Sequence, residues 1–200
     1  LVDSGATYMD GTTDITRTYP LGPLTEDEKR FYTWTLQSHI DLAKAVWLDY
    51  CECKMIDTIA REPLWRHLIN YRCGTGHSVS FVGNVHEGPH ALNSRNTTRM
   101  HPGMVVTDEP GVYETDLVGI RIENELVCVH KADNQYGTFL GFEPLMFVPI
   151  ATSPILPGVL DKDEIAWLND YHRQVFAKLA PHLNDEERSW LAEKCAAIGC

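Results

Sequence analysis

The spacing of apolar positions divides this chain into a β-prone opening, a helical stretch, a middle of strands and loops, and a helical end. Residues 1–19 read as two strands turning at Asp10-Gly11, a turn dipeptide. Thr25 and Glu28 have the spacing of a capping box, which predicts a helix to about Leu48 with Phe31, Trp34, Ile40, Leu42, Ala45 and Val46 buried. A second helix is expected over 54–69, kinked or restarted at Pro63, which has no backbone hydrogen to donate. Residues 70–103, rich in Gly, Asn and His, read as loops around short strands. An apolar strand follows at 104–108 and turns at Glu109-Pro110-Gly111. Residues 119–130 alternate, with Ile120, Ile122 and Leu126 on one face and Arg121, Glu123 and Glu125 on the other. A further strand is expected over 142–150, broken by Pro144. From Asp161 the period turns helical. Asp161 and Glu164 make another cap pair ahead of Ile165, Leu168, Val175, Phe176 and Leu179, and Asn184 can cap a last helix carrying Trp190, Leu191, Cys195 and Ile198. The pattern predicts an α+β chain, with a mixed part over 1–150 and a helical extension over 151–200.

Composition narrows the classes. The 200 residues are 44% hydrophobic, enough for one substantial core, and carry a formal charge of −11. An acidic balance argues against a nucleic-acid partner, which needs clustered Lys and Arg. No apolar run is long enough to imply a membrane span. The six Cys form no CxxC pair, which excludes a zinc ribbon and reads as free thiols in a reducing, cytoplasmic setting. The chain begins at Leu1, inside an expected strand, so a missing leader peptide says nothing.

Asp3 and Asp14 stand in β-prone surroundings where a carboxylate is costly unless paired or bound to a cation. Asp10 is explained by its turn. A tight hairpin at Asp10-Gly11 sets Asp3 opposite Thr18 and Asp14 opposite Thr7, an offset of roughly 13 Å. Joining the two Asp at one centre therefore predicts a wider loop over 8–11 or a bulge near Gly5. His77 follows two glycines, Glu109 ends an apolar strand and Glu123 lies within one. Each alone has an ordinary reading as a hydrogen-bonded loop histidine or a solvated acid. Together they make four carboxylates and one imidazole, which two divalent cations would balance. The oxygen-rich set suits Mn²⁺ or a similar ion.

Asp3-Ser-Gly with Asp14, Gly-Thr-Gly-His77, Asn-Val-His86-Glu-Gly, Thr-Asp-Glu109-Pro-Gly and Gly-Ile-Arg-Ile-Glu123-Asn resemble the metal-binding motifs of the pita-bread metallopeptidases, family M24. Their order and intervals are most similar to Xaa-Pro aminopeptidases of the aminopeptidase P type. The segment from Phe142 to His172 resembles the C-terminal extension of the longer members. The resemblance implies the pita-bread (creatinase/aminopeptidase) fold and two metal ions, Mn most of all, with Co or Zn also compatible. By position it implies that Asp3 binds one ion, Asp14 and Glu123 bridge both, and His77 and Glu109 complete the set. It further implies a metal-bridging hydroxide attacking the bond before proline, with Glu109 as proton acceptor, His86 on the substrate and Arg121 orienting Glu123. The implied partners are a peptide with proline second and another copy of the chain, docked through the C-terminal region. The runner-up activity is a prolidase acting on Xaa-Pro dipeptides, and the alternative outside catalysis is an inactive fragment or binding module. Cys73 stands where the family commonly has His, and Ser78 where it has Gly. The first change predicts weakened or altered activity. The family's first half-domain would precede Asp3, so the strand at 1–8 is expected to have an unfilled side.

Overall fold

The computed structural model describes residues 1–199. β1 (Val2–Tyr8) and β2 (Gly11–Arg17) form an antiparallel hairpin in unbroken register, with Tyr8 opposite Gly11, Gly5 opposite Asp14 and Asp3 opposite Thr16. The turn is Met9-Asp10, so the expected wide loop or bulge is not there. Moving a tight turn back by one residue shifts the pairing by two and makes Asp3 and Asp14 diagonal neighbours on one face. Such neighbours lie about 7–8 Å apart. Thr12, Asp14 and Thr16 are buried in alternation, whereas all seven residues of β1 are exposed.

α1 (Glu26–Ala43) opens with the expected capping box, in which Thr25 N donates to Glu28 Oε2 at 2.7 Å. It ends at Ala43 rather than Leu48, because the next residues pair with a distant strand. That strand is β3 (Val46–Leu48), and its Val46 is 56% exposed rather than buried. Phe31 and Trp34 are half-buried at the edge of the core. α2 (Cys53–Trp65) runs through Pro63 and stops within a turn of it, short of Ile69. Leu68 then turns the chain at φ 60°, and Ile69 N donates back to Leu64 O at 3.1 Å.

The strands that follow are β4 (Gly76–Ser78), β5 (Glu87–Leu92), β6 (Val105–Asp108), β7 (Gly111–Glu114), β8 (Val118–Arg121), β9 (Asn124–Asn134) and β10 (Gly137–Pro144). The main sheet has the order β3-β10-β9-β6-β4-β5, and β7 and β8 pair separately as a ribbon. The strand expected over 119–130 is thus two strands. The chain leaves the ribbon after Arg121 and enters the main sheet at Asn124, with Glu123 N bonded to Thr16 O at 3.1 Å across the gap. Its apolar face holds as expected, but Glu123 and Glu125 are also buried, β2 packing against β9. The strand expected over 142–150 begins earlier, at Gly137, and ends at Pro144. β4 approaches β6 so closely that a Cβ on Gly76 would stand 1.8 Å from Thr107 O.

α3 (Lys162–Leu179) and α4 (Asp185–Lys194) start at capping boxes on Asp161 and Asn184, as expected. One core joins Ile165, Leu168, Tyr171 and Val175 of α3 to Tyr32, Leu36 and Ile40 of α1 and to Ile120 and Ile122. A second core packs α1 and α2 on the main sheet through Leu42, Ile56, Ala60, Leu92, Val106 and Leu126. The apolar stripe of α3 is therefore buried within the chain, while Trp190 of α4 stays 56% exposed. Cys51, Cys53, Cys73, Cys128 and Cys195 are free thiols, and Cys200 lies outside the described residues. No helix among the described residues is long and apolar enough to cross a membrane.

Candidate metal centre

The hairpin, β4, the end of β6 and the break between β8 and β9 bring the five expected side chains together. His77 Nε2 lies 3.4 Å from Asp14 Oδ2 and 3.2 Å from Glu109 Oε1. One ligand-type atom from each of Asp3, Asp14 and Glu123 fits within 4.8 Å of the others, and so do those of His77, Glu109 and Glu123, and of Asp14, His77 and His86. Asp14, His77 and Glu123 each belong to two of these triads. His86 leans on His77 with ring centroids 3.7 Å apart. Asp10 stays in the turn, outside the cluster.

Hydroxyls and backbone groups aim these side chains. His77 Nδ1 is 3.1 Å from Ser78 O, which can only accept, so Nδ1 carries a proton and Nε2 faces the carboxylates. Thr107 Oγ1 accepts from His77 N at 3.0 Å and donates to Glu109 Oε1 at 3.0 Å. Thr16 Oγ1 donates to Glu123 Oε2 at 2.5 Å and accepts from Arg121 Nε at 3.0 Å. Arg121 also bonds Tyr113 Oη at 3.0 Å and pairs with Asp3. It stands 3.9 Å from Glu123 Oε2, so its hold on that carboxylate runs through Thr16. Cys73 sits in the exposed loop ahead of β4, its carbonyl accepting from Arg61 Nη2 at 2.8 Å.

The charges are out of balance. Burial, together with the charges of Glu109 and Asp14, pushes the Glu123 carboxyl up to about 8. Burial alone would lower His77, but the carboxylates of Asp14 and Glu109 outweigh it and raise the imidazole to about 10. Glu123 Oε1 is buried without a hydrogen-bond partner. An orphaned buried oxygen among crowded carboxylates fits bound cations, because cations would both satisfy the oxygen and relieve the repulsion.

Sequence reasoning missed Thr16, Thr107 and Tyr113. Thr16 was findable, since Thr12, Asp14 and Thr16 alternate on one strand face. Thr107 and Tyr113 carry no comparable signal, because their roles depend on which strands become neighbours.

Known proteins resemble both sequence and structure. The chain is 42% identical to Aminopeptidase P1 of Lotus japonicus, aligned over all of this chain and 31% of that protein. It is 44% identical to Aminopeptidase P2 of Arabidopsis thaliana, over 96% of this chain and 28% of that protein. The X-prolyl aminopeptidase of Caenorhabditis elegans, a cytosolic enzyme described as having a di-nuclear active site, superposes with a TM-score of 0.92 at 40% identity. That match covers 98% of this chain and 33% of the other. Prolidase from Pyrococcus furiosus superposes less completely, with a TM-score of 0.60 at 30% identity over 72% of this chain and 39% of the other. The chain spans about a third of the length of its curated relatives, and its fold is the pita-bread fold the motifs implied. A model of the C-terminal region of this peptidase family matches residues 138–198, and the metallopeptidase family M24 model matches residues 1–130. The chain belongs to metallopeptidase family M24.

Proposed function

We propose that the protein containing this chain is a dinuclear metal-dependent aminopeptidase that hydrolyses the bond between an N-terminal residue and proline. The observation that carries the reading is the convergence of Asp3, Asp14, His77, Glu109 and Glu123 into overlapping triads around a buried, unpartnered Glu123 oxygen. These five residues would hold two divalent ions, with Asp14 and Glu123 shared between them. The ions, Mn²⁺ first and Co²⁺ or Zn²⁺ as alternatives, would lower the pKa of water and polarise the scissile carbonyl. Glu109 accepts the proton of the attacking water, His86 contacts the substrate, and Arg121 keeps Asp3 and, through Thr16, Glu123 in place. Prolidase activity is the second reading, favoured by the likeness to Pyrococcus furiosus prolidase. The more complete likeness to aminopeptidases supports the first. A cytoplasmic setting and a homodimer through the C-terminal region complete the proposal, with α4 and its exposed Trp190 the surface left for the contact.

The test is metal analysis and turnover on the full-length parent protein. About two equivalents of metal and cleavage of Ala-Pro-Ala are expected, with little cleavage of the dipeptide Ala-Pro. Preference for Ala-Pro would shift the assignment to prolidase. No cleavage of either peptide by the Mn²⁺-loaded parent would refute the enzyme and leave the binding-module reading. Assaying the 200-residue chain beside the parent tells whether this chain acts alone, and sedimentation of the parent tests the dimer.

A further inference from the structure

His39 is fully buried on α1, between Leu36, Ile40 and Leu42 of the same helix. Burying an imidazole is costly unless both ring nitrogens find a use. Nε2 lies 3.4 Å from Asn124 Nδ2, and Nδ1 lies 3.0 Å from Asp108 Oδ2. Asn124 Oδ1 accepts from Arg17 Nη2 at 2.8 Å, and a guanidinium can only donate, so the amide turns its NH₂ toward His39. Nε2 is therefore the acceptor, and Nδ1 carries a proton that faces the Asp108 carboxylate. Both Asp108 oxygens are buried without an aligned hydrogen bond, and no other cationic group pairs with them among the described residues. Trp167 of α3 meets the imidazole edge-on, with ring centroids 5.8 Å apart, which limits how the ring can tilt.

Asp108 ends β6, Asn124 begins β9, and the two stand opposite each other as the last pair of that ladder. Glu109 follows the first and Glu123 precedes the second, and with His77 they form one of the triads. Beyond the last pair the two chains part to different neighbours. Glu109 N donates to Thr75 O at 2.8 Å and Glu123 N to Thr16 O at 3.1 Å. The ladder itself thus no longer sets the distance between these two candidate ligands. A single imidazole touches both strands at the step where the ladder stops. We propose that His39 is a positioning residue for the metal centre, holding Asp108 and Asn124 together so that Glu109 and Glu123 keep the separation that bound ions require. The inference rests on the metal-centre reading given above.

The experiment is chelator competition on the metal-loaded parent protein, with hydrogen exchange on the metal-free form. His39→Leu is of similar volume and removes both contacts, and metal is expected to be lost about 10- to 100-fold more readily. His39→Asn, whose amide can still donate toward Asp108, is expected to recover most of the retention, which a loss of packing alone would not allow. Leu140→Ala is the control, a fully buried change opposite His130, about 20 Å along β9 from Asn124. It is expected to lower the unfolding midpoint yet retain metal within about twofold of the wild type. In the metal-free parent, the Glu109 and Glu123 amides are expected to exchange about tenfold faster in His39→Leu than in Leu140→Ala. Equal metal loss in these two variants, or retention in His39→Leu close to that of the wild type, overturns the proposal. Should His39→Leu fail to fold, His39→Gln is read in the same way, because its longer amide reaches toward Asn124 and leaves Asp108 alone. A wild-type parent that binds no divalent ion refutes the metal centre, and the exchange comparison then decides the role of His39 by itself. Faster exchange in the His39 variant supports it, and equal rates overturn it.

Discussion

Asp57→Ala tests whether the loop that delivers His77 is held by a buried ion pair. Asp57 is 1% exposed on α2, and Arg61, one turn later, is 7% exposed and donates from Nε to Asp57 Oδ2 at 2.8 Å. The other carboxylate oxygen accepts from Thr75 Oγ1 at 2.5 Å. The guanidinium goes on to Tyr71 O and Cys73 O, both at 2.8 Å, and lies 4.1 Å above the Tyr71 ring. Thr75 O in turn accepts from Glu109 N at 2.8 Å, so this pair fixes the approach to two of the candidate ligands. Removing the carboxylate leaves Arg61 buried without its counter-charge, which costs about 3–5 kcal/mol. In a large protein that loss appears as local opening, and every 1.4 kcal/mol or so is tenfold. Hydrogen exchange of the Thr75, His77 and Glu109 amides is therefore expected to speed up about 10²- to 10⁴-fold, with the α4 amides as internal reference. Asp57→Ala with Arg61→Ala should recover part of the protection, because the stranded cation is gone. Unchanged exchange in the single variant, or a double variant that is strictly additive, refutes the reasoning.

Three further outcomes follow from single contacts. Thr16→Val removes the hydroxyl between Glu123 and Arg121 while keeping the side-chain shape, and metal retention is expected to weaken about 10–100-fold in chelator competition. Unchanged retention contradicts that role. Gly76→Ala places a Cβ 1.8 Å from the Thr107 carbonyl and must part β4 from β6, so a loss of about 3 kcal/mol is expected in denaturant unfolding, and a neutral result rejects the close approach. His172 is fully buried, accepts from Ile150 N at 3.1 Å through Nε2, and is held by burial at about 4 rather than 6.5. The unfolded chain takes up this proton first, so stability present above pH 6.5 is lost as pH falls toward 4, by about 3 kcal/mol. His172→Asn should flatten that part of the profile, and an identical profile in both proteins rules the histidine out.

What could be read from the chain was local. The capping boxes at Thr25, Asp161 and Asn184 need only residues three apart, and all three form. The five ligand candidates were visible as a set: His77, Glu109 and Glu123 each have an ordinary reading alone, and only with Asp3 and Asp14 do they make a charge-balanced site for cations. Errors came where a distant segment decides. α1 gives way to β3 because β10, some ninety residues on, offers Val46–Leu48 a strand partner. Glu123 and Glu125 lie opposite the apolar face as the alternation implied, yet only the fold shows that β2 packs against β9 and that both acids are buried. The hairpin register turned on a one-residue difference in the position of a tight turn. Met9-Asp10 and Asp10-Gly11 are both plausible from sequence, and only the first makes diagonal neighbours of Asp3 and Asp14.

Arg17 explains why the helical end of the chain bears on the metal centre. It is 4% exposed, and no carboxylate pairs with it among the described residues. Its donors go instead to neutral acceptors on three sides. Glu123 O, Thr16 O (2.9 Å) and Asn124 Oδ1 (2.8 Å) belong to the site, Val148 O (2.7 Å) and Pro149 O (3.2 Å) to the segment after β10, and Tyr171 Oη (3.0 Å) to α3. These six acceptors tie the backbone of Glu123 to α3. A shift of α3 has to break bonds to a buried guanidinium or drag Glu123 with it, and either disturbs the carboxylate shared by two of the triads. The segments matched separately, 1–130 and 138–198, thus meet at one side chain beneath the candidate ligands.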